Sequence, residues 1–497
     1  MFKNFPGYKL LEKIQKSNSH KRERKLPLNA IKLIFIIAIT SVIALLPTES
    51  FGIEGLTVIH QRIISLFVFA ALMWLTEAMP SWVTSMVVVT IMLLTVSTSA
   101  FNFLRPEDGA GLVPFKSIMA CFANPTIMLF IGGFVLAIGL TKVKLDVALA
   151  RVLLKPFGTR SEVVLLGFIL VTAIFSAFVS NTATAAMMLA FLTPVLKSLP
   201  ADGKGRIALA LAIPVGANLG GMITPIGTPP NMIALDYLSS QGMGISFVDW
   251  TIKMAPFVIL LLVLSWLLLR VLFPFKQKHI KIEIEGDIKW NRHTWSVVAA
   301  FVITIFMWMF GTDLWGVDTN VVAMIPIAIF CATGILTRRD LEEINWSVLW
   351  MVAGGFALGV ALNYKDASSV SLSSLIVNTV PFDNFSPLVV MILAGVICFG
   401  FSNFISHSAA TSLLVPVLGV VAGGLGASLD NFGGPQAMLV GIAIASSVSM
   451  ILPISTPPNA IAHSTGFIEQ KDMMKVGIII GLMGLALGYA MLIFIGF

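Results

Sequence analysis

Residues 171–196, VTAIFSAFVSNTATAAMMLAFLTPVL, hold the polar triplet Ser180-Asn181-Thr182 between two apolar arms. Each arm has about 17 residues, the short limit for crossing a hydrocarbon core of roughly 30 Å. The outer ends of both arms carry basic residues, Arg160 on one and Lys197 on the other. This pattern predicts a hairpin that enters the membrane and turns back. Non-helical backbone at that depth must be buried in protein or line a wet cavity, so we expect the triplet to face something polar.

The composition excludes a soluble globular protein. The 497 residues are 57% hydrophobic and 11% charged, with a mean hydropathy of +0.93. Apolar runs recur from residue 31 to the C-terminus. The sequence therefore predicts an all-α polytopic membrane protein whose main partner is the lipid bilayer.

The positive charge of the chain sets its orientation. The net charge is +7, and nine Lys and Arg residues precede the first apolar run in residues 1–32. This placement indicates a cytoplasmic N-terminal segment, 1–30, and argues against nucleic acid as a partner. With the N-terminus inside, the predicted inside loops hold 27 of the 32 Lys and Arg residues. The same topology puts the C-terminus outside.

The apolar runs divide into two halves joined by a charged cytoplasmic linker, 274–294. We predict about eleven transmembrane helices and two re-entrant hairpins. The first half, 31–273, contains the inward hairpin 161–200 and a broken helix 206–238. The second half, 295–497, contains the outward hairpin 387–427 and a broken helix 436–463.

Three landmarks recur in order between the halves, at offsets of 222, 226 and 228 residues. An odd number of crossings between equivalent elements makes the repeat inverted, as in many secondary transporters. The glycine pairs are expected to allow close helix packing. The matched segments are Ile131-Gly132-Gly133-Phe134 with Ala353-Gly354-Gly355-Phe356, Ser180-Asn181-Thr182 with Ser406-His407-Ser408, and Thr228-Pro229-Pro230-Asn231 with Thr456-Pro457-Pro458-Asn459.

Helix ends supply the chemistry of such a site. Each hairpin tip precedes a new helix, whose first N–H groups lack intrahelical partners and carry partial positive charge. Each Thr-Pro-Pro segment breaks its span, because proline lacks an N–H and blocks helix continuation. Two tips and two breaks that meet at mid-membrane would bind an anion, and the freed carbonyls would suit Na⁺. No Arg or Lys lies within either hairpin core or break, so co-bound cations would favour anion binding.

At these residues the chain resembles the divalent anion/sodium symporters, which carry dicarboxylates, citrate or sulfate. The resemblance covers nearly the whole chain and rests on SNTATAAMM, on ANLGGMITPIGTPPN (217–231), and on SLLVPV with ISTPPNAIA in the second half. It implies a homodimer in which a transport domain moves as an elevator against a fixed scaffold. It also implies co-transported Na⁺ and no organic cofactor.

The resemblance assigns roles position by position. It implies a first Na⁺ site at Ser176, Ser180, Asn181 and Gly227. A second Na⁺ site would take Ser402, Ile405, His407 and Ser455. The substrate-binding residues it implies are Ser180, Asn181, Thr182, Thr228, Pro229, Ser406, His407, Ser408, Thr456 and Pro457.

His407 departs from the family pattern, which repeats Ser-Asn-Thr in the second tip of sodium-coupled members. Asparagine offers Na⁺ a carbonyl oxygen, whereas histidine offers a nitrogen that favours softer metals or a proton. The second Na⁺ site is therefore in doubt. A protonated His407 would supply positive charge to the anion, and a neutral one would donate a hydrogen bond to it. Catalysis is not expected, because Ser406 and His407 are adjacent and no carboxylate is near to orient the imidazole.

The sequence thus predicts a secondary active transporter, not an enzyme, in the plasma (inner) membrane. The preferred substrate class is C4-dicarboxylates such as succinate, taken up with Na⁺. The alternatives are sodium-independent dicarboxylate exchange and Na⁺-coupled transport of sulfate or citrate. A channel is disfavoured because it would not need two broken repeats closing around one site, and no ATP-binding loop is present.

Overall fold

The computed structural model describes residues 26–107, 109–200, 203–280, 290–366 and 370–496, and within them the fold is helical. The predicted N-terminal segment lies mostly outside the described residues. The helices of the first half are α1 (Leu26–Leu45), α2 (Val58–Thr76), α3 (Ser81–Thr95), α4 (Phe115–Ala120), α5 (Pro125–Lys142), α6 (Leu145–Leu154), α7 (Ser161–Phe178), α8 (Asn181–Ser198), α9 (Gly205–Gly220), α10 (Pro229–Ser240) and α11 (Phe247–Leu272). Those of the second half are α12 (Arg292–Trp315), α13 (Thr319–Val322), α14 (Met324–Ala332), α15 (Arg338–Leu341), α16 (Trp346–Asn363), α17 (Leu372–Thr379), α18 (Pro387–Phe404), α19 (His407–Leu425), α20 (Gly434–Ser447), α21 (Pro457–Ser464) and α22 (Gln470–Phe494).

Many of these helices are built for a bilayer. Within the described part of the chain, nine helical stretches are long and apolar enough to cross a membrane, and five shorter apolar helices accompany them. The shorter ones include α3, α9 and α20, which fall in predicted spans. The chain is an integral membrane protein of helical type, and the number of crossings stays a prediction.

Both predicted hairpin tips are two-residue interruptions between helices. α7 ends at Phe178 and α8 begins at Asn181, with Ser180 as its N-cap. α18 ends at Phe404 and α19 begins at His407, with Ser406 as its N-cap. The two N-cap serines have nearly equal torsions, φ −58° and ψ 139° against φ −63° and ψ 144°.

Both predicted breaks lie where the Thr-Pro-Pro segments stand. In the first half, α9 ends at Gly220 and α10 begins at Pro229. In the second half, α20 ends at Ser447 and α21 begins at Pro457. The preceding threonines again match, with φ −145° and ψ 145° at Thr228 and φ −139° and ψ 149° at Thr456. Proline at the first helical position suits these starts, because its fixed φ is helical and it has no N–H to satisfy.

The helices pack into two groups. The tip group contains α7–α11 and α18–α22, in which α9 packs on α7 and α8, α10 packs on α19 and α20, and α21 packs on α8 and α9. The flanking group contains α1–α5 and α12–α16, in which α3 packs on α16 and α5 packs on α13 and α14. Both groups draw helices from both halves of the sequence.

Two aromatic pairs lie between the tip group and α12. Phe178 meets Phe301 edge to face, with 6.3 Å between ring centroids, and Phe247 stacks on Trp308 at 5.5 Å. A polar contact also crosses between the groups, where Thr126 Oγ1 donates to Asp236 Oδ1 at 2.8 Å. Asp236 is half-buried against α5.

The glycine pairs fulfil the packing expectation at three of four positions. A Cβ added at Gly132 would lie 2.5 Å from the carbonyl oxygen of Ala323, which lies between α13 and α14, so α5 approaches these two helices closely. A Cβ at Gly354 would clash with Ser85, and one at Gly355 would lie 2.9 Å from the Cβ of Ser412. Gly133 has no such neighbour within 4 Å.

The start of the predicted linker is anchored to the first hairpin. The backbone N–H of Ser161 donates to the carbonyl of Lys278 at 3.0 Å, and that of Ile280 donates to the carbonyl of Thr159 at 2.7 Å. These bonds form an isolated antiparallel bridge between Arg160 and His279. Residues 281–289 of the linker lie outside the described part.

An ion pair joins the end of α5 to α15. Lys142 Nζ lies 2.5 Å from Asp340 Oδ2, and the same oxygen accepts from the N–H and the hydroxyl of Thr337, each at 2.6 Å. Burial alone would raise the pKa of Asp340, but the bonds from Lys142 and Thr337 outweigh it and lower that pKa below its ordinary value.

Asp340→Asn should destabilise the protein by about 1–3 kcal/mol at neutral pH, because Lys142 loses its ion-pair partner. A pKa that is lower in the folded state stabilises the fold above the unfolded value of about 4, and this contribution disappears as the pH falls through the folded value. The unfolding temperature of the detergent-solubilised protein should therefore be higher for wild type than for the variant at pH 7, and this difference should disappear in acid. Asp313→Asn, at an exposed position, is the control, and equal unfolding temperatures for wild type and Asp340→Asn at pH 7 would contradict the account.

Candidate functional site

The two tips and the two breaks meet around one cavity of about 340 Å³. No Asp, Glu, Lys or Arg is present among the described residues that line it. Gly227 and Ser455 from the predicted Na⁺ sites also line the cavity, whereas Ser176, Ser402 and Ile405 are buried and lie off its wall. All ten residues predicted to bind substrate line it: Ser180, Asn181, Thr182, Thr228, Pro229, Ser406, His407, Ser408, Thr456 and Pro457.

Four helix N-termini face this cavity, those of α8, α10, α19 and α21. Ser180 Oγ accepts from the N–H of Ala183, and Ser406 Oγ accepts from that of Ala409, both at 3.3 Å. Thr456 Oγ1 accepts from the N–H of Asn459 at 3.1 Å. These caps satisfy one N–H each and leave the others of the first turn without intrahelical partners. The partial positive charge of four N-termini gives the neutral cavity an affinity for anions.

The first predicted Na⁺ site is organised around Ser176. Its hydroxyl lies 2.7 Å from the carbonyl of Ala217 and 2.7 Å from Asn181 Oδ1, so it joins the hairpin tip to the end of α9. Hydroxyl, amide and backbone carbonyl oxygens of this kind are hard, neutral ligands suited to an alkali cation. The ligand roles of these residues stay predictions.

Gly221 is a site residue that the sequence did not single out. A Cβ at this position would lie 2.5 Å from Asn181 Oδ1, so the loop after α9 fits against the tip only without a side chain. Gly227 also contacts Gly221 closely, since an added Cβ on Gly227 would clash with the carbonyl oxygen of Gly221. The Gly220-Gly221 pair within the quoted motif was the available signal.

Two asparagines hold the broken segments and were also missed. Asn231 Nδ2 donates to the carbonyls of Gly221 and Thr224, at 3.1 and 2.9 Å. Asn459 Nδ2 donates to the carbonyls of Met450 and Leu452, at 2.9 and 3.1 Å. Both side chains are buried and replace helical hydrogen bonds that the breaks have lost. Their repetition in Thr-Pro-Pro-Asn was the sequence signal.

His407 differs from Asn181 in what it contacts. Its Nε2 lies 2.5 Å from the carbonyl oxygen of Ser449, which can only accept, so Nε2 carries a proton. In the neutral imidazole the other nitrogen, Nδ1, is then an acceptor and cannot donate to an anion. Of the remaining residues in the second predicted Na⁺ site, Ser402 Oγ bonds to Ser446 Oγ at 3.2 Å and Ser455 Oγ donates to the carbonyl of Leu452 at 2.7 Å.

The flanking group closes the cavity with residues that the sequence analysis did not predict. Ser81 and Trp82 come from the start of α3, and Asn345 and Ser347 come from the start of α16. The aromatic rings of Phe134 and Phe178 add apolar wall.

Comparisons with known proteins identify the family of the chain. Residues 28–496 match the family model described as the sodium:sulfate symporter transmembrane region. A transporter of Haemophilus influenzae, itself described as uncharacterized, is 31% identical over 470 residues, which are 90% of this chain and 94% of that protein. The sodium-dependent dicarboxylate transporter SdcS of Staphylococcus saprophyticus is 28% identical over 461 residues, 85% of this chain and 83% of SdcS.

A solved structure extends the likeness to the fold. The YdaH transporter of Alcanivorax borkumensis superposes with a TM-score of 0.53, over 88% of this chain and 99% of that one, at 12% sequence identity. At that identity the similarity concerns the fold alone. The family and the relatives are transporters, which confirms that the protein is not an enzyme. Its helices span a membrane, its site is a neutral cavity ringed by helix N-termini, and the chain belongs to the sodium:sulfate symporter family.

Proposed function

We propose that the protein takes up C4-dicarboxylates of the succinate type together with Na⁺. The observation that carries this proposal is the cavity itself, where four helix N-termini converge and the described lining has no Asp, Glu, Lys or Arg. A dianion gains from the N–H groups and hydroxyls, but it brings two negative charges that nothing fixed neutralises. Co-bound Na⁺ supplies the balancing charge. The dependence of SdcS on sodium and its dicarboxylate substrate support the same choice.

The size of the cavity also suits a small anion. Its volume of about 340 Å³ lies near the lower end of the 300–1,000 Å³ usual for ligand pockets. Sulfate or citrate, with Na⁺, are the alternatives within the same chemistry, and the description of the family favours testing sulfate first.

Sodium-independent exchange is the second candidate, and His407 is the observation that favours it. The N–H at Nε2 of His407 donates to the Ser449 carbonyl oxygen, so this oxygen is not free to bind a cation at the second tip. We infer one working Na⁺ site, at Ser176, Ser180, Asn181 and Gly227, and a second site that is altered or lost.

We further propose that the two halves are inverted repeats and that the tip group moves as an elevator against the flanking group. The matched torsions at Ser180 and Ser406, and at Thr228 and Thr456, support the repeat. The cavity is bounded by the starts of α3 and α16, both on the predicted cytoplasmic side, which is consistent with an inward-facing state. A homodimer, a plasma (inner) membrane location, a cytoplasmic N-terminus and an outside C-terminus remain part of the proposal.

Uptake of radiolabelled succinate into proteoliposomes tests the function. We expect an inward Na⁺ gradient to drive uptake without internal substrate, and Asn181→Ala to abolish it in a folded protein, because Asn181 faces both substrate and the first cation. Uptake that needs internal anion and ignores Na⁺ would replace symport by exchange. Inhibition by sulfate or citrate but no succinate uptake would change the substrate.

Gly221→Ala tests the first Na⁺ site. The added methyl group would displace Asn181 Oδ1, so the Na⁺ concentration for half-maximal uptake should rise about tenfold or more, as for changes beside metal ligands. Gly400→Ala is the matched control, because a Cβ there meets nothing within 4 Å. An unchanged Na⁺ requirement in Gly221→Ala would remove Asn181 from the cation site.

His407→Asn tests the second site. Asparagine would restore an amide oxygen at the second tip, and the Hill coefficient for Na⁺ should rise from about 1 toward about 2, since it is bounded by the number of sites. His463→Asn, outside the cavity, is the control. A Hill coefficient that does not change with His407→Asn would show that the histidine is not what limits cation binding there.

A further inference from the structure

Asn218 is a buried residue of the cavity wall to which neither the sequence analysis nor the proposed function gives a role. It lies in the last turn of α9, lines the cavity, and is only 1% exposed. It belongs to the first half of the chain, but its side chain contacts the second. Asn218 Nδ2 donates to Thr456 Oγ1 at 3.2 Å and to Asn459 Oδ1 at 3.0 Å.

The orientation of this amide follows from its neighbours. Asn459 directs its Nδ2 at two backbone carbonyls, so its Oδ1 faces the other way and requires a donor. Asn218 Nδ2 is that donor. The amide of Asn218 is therefore fixed, and through Asn459 it supports the broken segment 450–455 that leads to the substrate wall at Thr456.

The residue next to Asn218 contacts the predicted first Na⁺ site. Ala217 accepts from Ser176, whose hydroxyl also contacts Asn181 Oδ1. One turn of helix therefore contacts the predicted cation ligands through residue 217 and the opposite substrate wall through residue 218. A shift of this turn by a bound cation must move both.

The equivalent residue of the second half makes its side-chain hydrogen bonds within its own half. At the offset of the Thr-Pro-Pro-Asn repeat, 228 residues, Asn218 corresponds to Ser446. The Ser446 hydroxyl donates to the carbonyl of His407 at 2.9 Å and accepts from Ser402, both in its own half. The link between the halves thus runs from the first cation site to the second break.

We propose that Asn218 is a positioning residue that couples Na⁺ at the first site to dicarboxylate binding at Thr456 and Pro457. This inference rests on the proposed function and deepens it. Na⁺ that orders Ser176, Asn181 and the end of α9 would present Asn218 to Thr456 and Asn459, and so complete the second wall of the cavity. Linkage requires the reverse effect, so that the dicarboxylate tightens Na⁺ binding by the same factor.

The test measures succinate binding to the purified full-length protein by calorimetry, at low and at high Na⁺. In the wild type the two dissociation constants should differ by about tenfold or more, within the usual range of coupling. In Asn218→Ala the ratio should fall to between about one and two, and the Na⁺ dissociation constant should lose its dependence on succinate equally. Asn218→Ser, which keeps a small polar side chain, gives the same comparison if the alanine variant does not fold.

The ratio separates coupling from a structural role. If Asn218 only supports the fold, its replacement weakens both affinities and leaves the wild-type ratio, and that result would overturn the inference. Asn102→Ala, at an exposed asparagine that does not line the cavity, should keep the wild-type ratio. Succinate binding with a wild-type ratio of one would overturn both this inference and Na⁺ coupling, whereas no succinate binding at all would overturn the proposed substrate.

Discussion

Four helices of this protein begin beside one cavity inside the protein, and the site depends on how their unpaired backbone groups are satisfied. In a bilayer an unsatisfied N–H or carbonyl costs several kcal/mol, so interrupted helices survive only with substitutes for the lost bonds. Ser180, Ser406 and Thr456 cap three starts, and the amides of Asn231 and Asn459 hold the carbonyls of the two breaks. What remains unpaired at the helix starts faces the cavity, where an anion can use it. The backbone groups at the helix starts therefore affect both the stability of the fold and the binding of an anion.

The sequence predicted the positions of the tips and breaks, because each depends on local chemistry. A polar triplet between apolar arms is a turn, and Thr-Pro-Pro ends one helix and starts another. It did not predict the contacts across the site, since these join residues far apart in the chain. The bond from Asn218 to Thr456 spans 238 positions, and the contact of Gly221 with Asn181 depends on the path of a loop. The bond from Thr126 to Asp236 likewise joins residues 110 positions apart.

The two halves have matching backbone torsions at the tips and breaks and differ there in side chains. Torsions at the paired serines and threonines agree within 10°, yet Asn181 is matched by His407 and Asn218 by Ser446. His407 donates to Ser449, whereas Asn181 Oδ1 sits by Ser176 and Gly221. Matching turns with unequal side chains suit a transporter in which, as proposed, one half binds the cation and the other responds to it.

The aromatic contacts between the tip group and α12 have a consequence for the speed of the proposed movement. Ring contacts such as Phe178 with Phe301 and Phe247 with Trp308 prefer edge-to-face or stacked geometries, and each is worth about 0.5–1.5 kcal/mol beyond the apolar area it buries. These pairs must separate and re-form when the tip group slides, so they add to the barrier of the proposed movement. The bond from Thr126 to Asp236 has a defined length and angle, so it favours a single register. The rings would thus slow the proposed movement, and polar contacts such as this bond would favour the resting position.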